Sequence, residues 1–148
     1  MCFLSRLFGT FERPSPGDWV PSVAISVSDD KIIIDLKRLN LGLDETPIVW
    51  IPEIPDTNSM DGVFDIGNNN ILIAGRNDAD QEKLVESLRV GDIAVYKTPS
   101  MYAIHRIVEI NEDGEGKYFR FKGDNNASKD PDKVRPNQVT WVSVGTIY

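Results

Sequence analysis

Three segments of the chain carry side chains that could act together on a peptide bond. The stretch 57–64 (TNSMDGVF) contains Ser59, and the stretch 102–108 (YAIHRIV) contains His105, the one histidine in the sequence. The stretch 122–130 (KGDNNASKD) contributes aspartates. A serine, a histidine and an aspartate on separate segments are the parts of a nucleophile, its base and an orienting carboxylate. The sequence therefore predicts a serine protease that uses Ser59 and His105.

Each of these side chains also has an ordinary structural interpretation. A serine in a loop is usually a turn residue, and the GDNN and KDPD sequences are typical turn compositions. A lone histidine on a strand is usually hydrogen-bonded to backbone groups. A histidine titrates near pH 6.5 when unperturbed, however, so near neutral pH it can accept the proton of a serine hydroxyl. The combination of the three segments, rather than any one residue, favours the catalytic interpretation.

Composition limits the other classes of function. The chain has 148 residues, which indicates one domain, and its net charge of −7 argues against a surface that binds nucleic acid. Cys2 is the only cysteine and cannot form an intramolecular disulfide, so nothing indicates an oxidising compartment. No apolar run reaches the roughly 18 residues that a transmembrane helix needs. We therefore expect a soluble, cytoplasmic protein without an integral membrane segment.

No metal or cofactor is expected. One histidine and one distant cysteine do not supply a zinc site, and the acidic pairs lack the spacing of a calcium loop. No glycine-rich phosphate-binding loop occurs either. The proposed chemistry on a peptide bond requires no cofactor, and the expected partner is a peptide or protein substrate.

The elements that must position these residues are mostly strands, which predicts a mainly β (β-rich α+β) fold with one short helix. Apolar alternation and β-branched runs predict strands at 23–28, 31–36, 48–51, 70–74, 93–97, 102–110, 118–122 and 140–148. The first two strands form an N-terminal β-hairpin around Asp29 and Asp30, with one half-buried face that carries Val23, Ile25 and Val27. The helix spans 77–88, capped by Asn77 or Asp78.

We divide the single domain 1–148 into three parts: an N-terminal extension (1–22), the hairpin and lead-in (23–55) and a peptidase-like core (56–148). Residues 12–21 are rich in proline and glycine and predict an irregular connection. Residues 1–11 (MCFLSRLFGTF) are apolar but too short for a secretory signal. We expect this segment to dock on the domain or on a partner protein; a weak surface-membrane anchor is the less favoured alternative.

Five pieces of the sequence resemble, in the same order, the motifs of the signal peptidase and LexA-like serine proteases. They are 59–61 (SMD), 70–74 (NILIA), 88–96 (LRVGDIAVY), 104–108 (IHRIV) and 121–130 (FKGDNNASKD). The resemblance covers roughly the last 90 residues, and each motif is weak by itself. His105 stands where bacterial signal peptidases and LexA-like proteins have a lysine. The closest resemblance is therefore to the endoplasmic-reticulum and archaeal signal peptidases.

The resemblance implies a β-rich catalytic fold with Ser59 as nucleophile and His105 as general base. Asp124 and Asp130 take the positions of that branch's two acidic residues, and either could orient the histidine. Thr57 stands two residues before the nucleophile, where related enzymes have a hydroxyl that donates to the oxyanion; plain capping of the loop is the equal alternative. Small side chains beside the cleaved bond are also implied.

Three features depart from the family's pattern. Asn58 replaces the small residue, often glycine, before the nucleophile, and Gly62 replaces the usual proline after the methionine. Signal peptidases have an N-terminal membrane anchor, whereas here a β-hairpin is predicted. These departures leave a second function open: a catalytically inactive module that keeps the protease fold for structure or protein interaction. A third is a self-processing protein of the LexA kind, which we rank last because no DNA-binding segment supports a repressor role.

Overall fold

A computed structural model describes residues 22–148, and this part of the chain is mainly β. Its strands are β1 (Ile25–Ser28), β2 (Lys31–Ile34), β3 (Ile48–Trp50), β4 (Asn69–Ala74), β5 (Ile93–Lys97), β6 (Tyr102–Asp113), β7 (Gly116–Lys122) and β8 (Val139–Ile147). The helix α1 spans Asp78–Glu86, and short 3-10 turns cover Ser22–Ala24, Leu36–Arg38 and Pro136–Gln138. The predicted β-rich class with one helix is confirmed for these residues. The predictions for 1–11 and 12–21 fall outside them.

Six of the strands form one antiparallel sheet in the order β3-β4-β8-β5-β6-β7. β5 lies between β8 and β6, and its residues Ala94, Val95 and Tyr96 are all buried. Such an uninterrupted buried run is typical of a strand covered on both faces. The two long strands β6 and β7 form a hairpin that turns at residues 114–115. The sheet therefore places the start of β6, which carries His105, next to the buried strand β5.

Alternation along β6 divides its side chains between two apolar clusters. Ala103 and Ile107 contact the larger cluster, which includes α1, whereas Ile104 contacts a smaller cluster. The smaller cluster is built on Ile54, Met60 and Phe64, all at most 6% exposed. Met60 thus anchors the loop that carries Ser59 to the cluster that Ile104 contacts.

α1 begins as the sequence predicts, with Asn77 as its N-cap: the side chain accepts a hydrogen bond from the Asp80 N–H at 2.9 Å. Asp80 is fully buried, and its carboxylate accepts the backbone N–H groups of Asp44 at 2.9 Å and Glu45 at 3.0 Å. The bond from Asp44 is the main cause that lowers the Asp80 pKa below its usual value. This acidic residue of the first turn therefore holds the loop before β3 onto the helix.

The N-terminal hairpin forms as predicted, but its burial was predicted wrongly. Val23 lies in a 3-10 turn rather than in a strand, and it is 67% exposed. Ile25 and Val27 of β1 pair with Ile34 and Ile32 of β2, and Val27 is 74% exposed. β1 and β2 make a separate two-stranded sheet. Ile25 and Val27 therefore share an apolar face, as the alternation predicts, but no other element among the described residues covers that face.

Candidate active site

His105 lies near the start of β6, directly opposite Ala94 of β5. Its Nδ1 is 2.7 Å from Oδ2 of Asp130, and the two side chains are 12% and 15% exposed. When Nδ1 carries the proton and donates to the carboxylate, Nε2 is left as the acceptor. This is the tautomer that a general base needs to take a proton from a hydroxyl.

A loop that follows β7 delivers Asp130 to this position. The Asp130 N–H donates to the carbonyl of Phe121 at 2.9 Å, which folds the loop back along β7. The hydroxyl of Tyr96 donates to Asp130 Oδ2 at 2.6 Å. Sequence reasoning did not identify Tyr96. The signal was present, because a tyrosine inside the aliphatic strand IAVYK is buried and its hydroxyl then needs a partner.

Asp124, the other candidate acid, contacts Arg106 rather than His105. Arg106 Nε donates to Asp124 Oδ1 at 2.8 Å, and Nη2 donates to Oδ2 at 2.6 Å. Arg106 Nη1 also donates to the carbonyl of Gly91 at 2.7 Å. The hydrogen bond with Asp124 raises the pKa of the Arg106 guanidinium. Of the two aspartates that the sequence left as alternatives, the structure therefore joins Asp130 to the histidine and gives Asp124 a different partner.

The loop that contains Asp124 holds the backbone of Ser59. The Asn125 N–H donates to the Ser59 carbonyl at 3.0 Å, and the Asp124 N–H lies 3.3 Å from Met60 Sδ. Gly123 packs so closely that an added Cβ would lie 2.5 Å from the Ser59 carbonyl oxygen. Arg106, through Asp124, thus stabilises the loop that positions the candidate nucleophile.

Two unusual backbone angles shape the loop around Ser59. Asn58 has φ +56°, a left-handed conformation that asparagine tolerates better than most residues and that glycine adopts freely. Asn58 stands where the proteases that the sequence resembles often have glycine, and it is compatible with this turn. Gly62 has φ +88°, which a proline, fixed near −65°, cannot adopt. The chain after Ser59 consequently follows a path that the proline common at this position in those proteases would not permit.

Ser59 and His105 line one pocket of about 250 Å³, together with Thr57. Ser59 Oγ lies 3.2 Å from Thr57 Oγ1, a hydrogen bond in which either hydroxyl can donate. Among the described residues, Ser59 is not hydrogen-bonded to His105. The structure therefore brings Ser59, Thr57 and His105 to one pocket and puts Asp130 behind the histidine, with the serine hydroxyl turned to the threonine.

One wall of the pocket is an unpaired strand edge. β7 begins to pair with β6 at Arg106, so within residues 22–148 the segment 102–105 has a partner strand, β5, on one side only. The Ile107 N–H donates at 2.8 Å to the carbonyl of Asp92, the residue just before β5, so the backbone groups of Ile107 face β5. Because backbone groups alternate along a strand, those of Ile104, three residues earlier, point away from β5 to the open side. An extended peptide could pair there, next to His105.

Within residues 22–148, no cluster of three or more His, Cys, Asp or Glu side chains has a geometry suited to a metal ion. In the same part of the chain, none of the helices has both the length and the apolar character needed to cross a membrane.

Comparisons of the chain with protein-family models, with curated proteins and with solved structures found no match.

Proposed function

We propose that this protein is a serine endopeptidase of the signal-peptidase-like type, with the β fold of that group, which hydrolyses peptide bonds in an extended peptide or protein segment. Ser59 is the nucleophile, His105 the general base and Asp130 the carboxylate that orients it. The observation that carries the proposal is the contact between His105 and Asp130 at the wall of a pocket that also contains Ser59. A histidine held by a carboxylate near a serine is the arrangement that activates a hydroxyl.

The substrate binds as an added strand on the open edge of β6. That edge runs through Tyr102 and Ile104 to His105, so a peptide paired with it passes the histidine. The pocket of about 250 Å³ beside Ser59 accepts one side chain next to the cleaved bond. The resemblance to signal peptidases favours a small side chain there.

The reaction proceeds by acyl transfer. Ser59 Oγ attacks the carbonyl carbon of the scissile bond while His105 Nε2 takes the hydroxyl proton, and Asp130 stabilises the resulting imidazolium. Before the attack, Ser59 must exchange its hydrogen bond with Thr57 for one with His105. Catalytic hydrogen bonds are often long or misaligned without substrate and tighten in the complex.

The freed Thr57 hydroxyl then donates to the oxyanion, which is the role that the resemblance to signal peptidases implies for this residue. Collapse of the tetrahedral intermediate transfers the proton from His105 to the leaving amine. A water molecule that His105 deprotonates then hydrolyses the acyl-Ser59 ester.

The test is cleavage of a peptide library, followed by mass spectrometry. We expect the wild-type chain to cut, and Ser59→Ala and His105→Ala each to abolish cutting without loss of fold. Ser100→Ala is the matched control, since Ser100 is an exposed serine in the turn before β6. A Ser59→Ala or His105→Ala variant that cuts at the wild-type rate would refute the assignment.

A second function is a catalytically inactive module that binds peptides in the same groove. It is favoured by the hydrogen bond of Ser59 to Thr57 instead of His105, and by the φ of +88° at Gly62. This function predicts no cleavage by any variant. It also predicts that labelled peptides bind equally to the wild-type chain and to Ser59→Ala, as measured by fluorescence anisotropy.

A further inference from the structure

The oxygen of Asp130 that faces His105 has a second donor. Tyr96 Oη lies 2.6 Å from Asp130 Oδ2, and His105 Nδ1 lies 2.7 Å from the same atom. The two donors therefore share the negative charge on one carboxylate oxygen, and each weakens the bond that the other can make.

Tyr96 is a rigid, neutral donor. It is 2% exposed, and its ring stacks on that of Phe121 with the centroids 4.3 Å apart. Burial, followed by the hydrogen bond to Asp130, raises the Tyr96 pKa above its ordinary value, so the phenol keeps its proton wherever the site works. The position of the hydroxyl is thus set by β5 and by the core rather than by the loop that carries Asp130.

We infer, on the basis of the proposed peptidase function, that Tyr96 is a positioning residue. Its hydroxyl orients the Asp130 carboxylate and limits how strongly that carboxylate holds a protonated His105. Without this limit the imidazolium would be stabilised further, and the histidine would become a free base only at higher pH. Removal of the Tyr96 hydroxyl is therefore expected to strengthen the hydrogen bond between Asp130 and His105.

Other charged groups surround this pair and do not change when the Tyr96 hydroxyl is removed. They are Asp61 and Asp65, which line the pocket, Asp132 near the phenol, and the ion pair of Arg106 with Asp124. None of these groups is altered by the substitution of Tyr96. A comparison of wild type with Tyr96→Phe therefore reports the phenol alone.

The experiment is an NMR titration of the imidazole ring, which gives one set of signals because the chain has a single histidine. In Tyr96→Phe we expect the titration midpoint to move up by about half a pH unit. We also expect the Nδ1–H resonance to move downfield as the bond to Asp130 strengthens. If the peptidase is active, the acid limb of its kcat/KM profile moves upward by the same amount.

Two controls make the result specific, and a third experiment takes the place of Tyr96→Phe if that variant does not fold. Tyr118→Phe removes a phenol that lies against Lys133, and it should leave the titration unchanged. In an Asp130→Asn background, Tyr96→Phe should no longer raise the midpoint. Should Tyr96→Phe fail to fold, replacement of all four tyrosines by 3-fluorotyrosine gives a stronger donor at the same site. The midpoint should then move to lower pH.

A midpoint in Tyr96→Phe equal to that of wild type would overturn the inference, as would an equal shift in Tyr118→Phe. The titration does not require the chain to cleave a peptide. Absence of cleavage with a shifted titration would refute the peptidase function and leave the coupling of Tyr96 to His105 intact. Cleavage with an unshifted titration would refute only the role of Tyr96.

Discussion

The two aspartates of the 122–130 segment are expected to separate into a catalytic and a structural role when each is changed to asparagine. Asparagine has nearly the same shape as aspartate but no charge, so the change removes the electrostatic contribution and little packing. Asp130 contacts His105, whereas Asp124 contacts Arg106. We therefore expect Asp130→Asn to reduce catalysis and Asp124→Asn to reduce stability.

The cost of Asp124→Asn follows from the burial of its ion pair. The side chains of Arg106 and Asp124 are 31% and 22% exposed. Removal of one partner from a fully buried pair costs about 3–5 kcal/mol, and an exposed pair contributes about 0–1 kcal/mol. This pair lies between the two, so we expect a loss of about 2 kcal/mol in the free energy of unfolding. Arg106 keeps its bond to the Gly91 carbonyl, which limits the loss.

Asp130→Asn is expected to lower kcat rather than stability. Replacement of the orienting carboxylate of a serine-protease triad by an amide lowers kcat by about 10⁴ because the histidine takes the wrong tautomer. We expect a fall of that order here. Asp124→Asn should lower kcat by less than about tenfold, since its effect reaches Ser59 only through the loop that holds the serine carbonyl.

The assays are urea unfolding followed by tryptophan fluorescence, and initial rates on the best peptide of the library. Rates are compared at a temperature well below the unfolding of every variant, so that loss of folded protein does not count as loss of catalysis. If Asp124→Asn abolished cleavage at unchanged stability, the assignment of the two roles would be wrong. The same holds if Asp130→Asn cleaved at the wild-type rate.

Two further predictions concern stability. Gly123→Ala places a Cβ 2.5 Å from the Ser59 carbonyl oxygen, so the two loops must separate; we expect a loss of about 1–3 kcal/mol in urea unfolding. The control is Gly114→Ala, where the new Cβ meets nothing within 4 Å and stability should hardly change. The pKa of Asp80 is lower in the folded protein than in the unfolded chain, where it is about 4. The Asp80 carboxylate therefore contributes fully to the free energy of unfolding above the unfolded pKa, and this contribution is lost as the pH falls through the folded pKa. Wild type should therefore lose more stability than Asp80→Asn between about pH 5 and pH 2 in urea titrations, and parallel losses would contradict this role.

Local patterns in the sequence predicted most of the elements. Asn77 caps α1, and every end of the strands β4 to β8 lies within three residues of its predicted position. These features depend on neighbours a few residues away, which the sequence displays directly. The exposed face of β1 was mispredicted for the same reason: alternation shows that Ile25 and Val27 share a face, but not whether another layer covers it.

The candidate site also has a part that the sequence shows and a part that depends on the tertiary structure. The sequence by itself supplied the candidate groups: one histidine, a serine in a turn and aspartates in a third segment. The tertiary structure decided which of them meet, since His105 contacts an aspartate 25 residues away and Asn125 reaches the carbonyl of Asn58 across 67 residues. It also showed that Asp124 pairs with Arg106 and that the Tyr96 hydroxyl donates to Asp130. Contacts at such separations depend on strand register and on the path of each loop around the core, which no local pattern encodes.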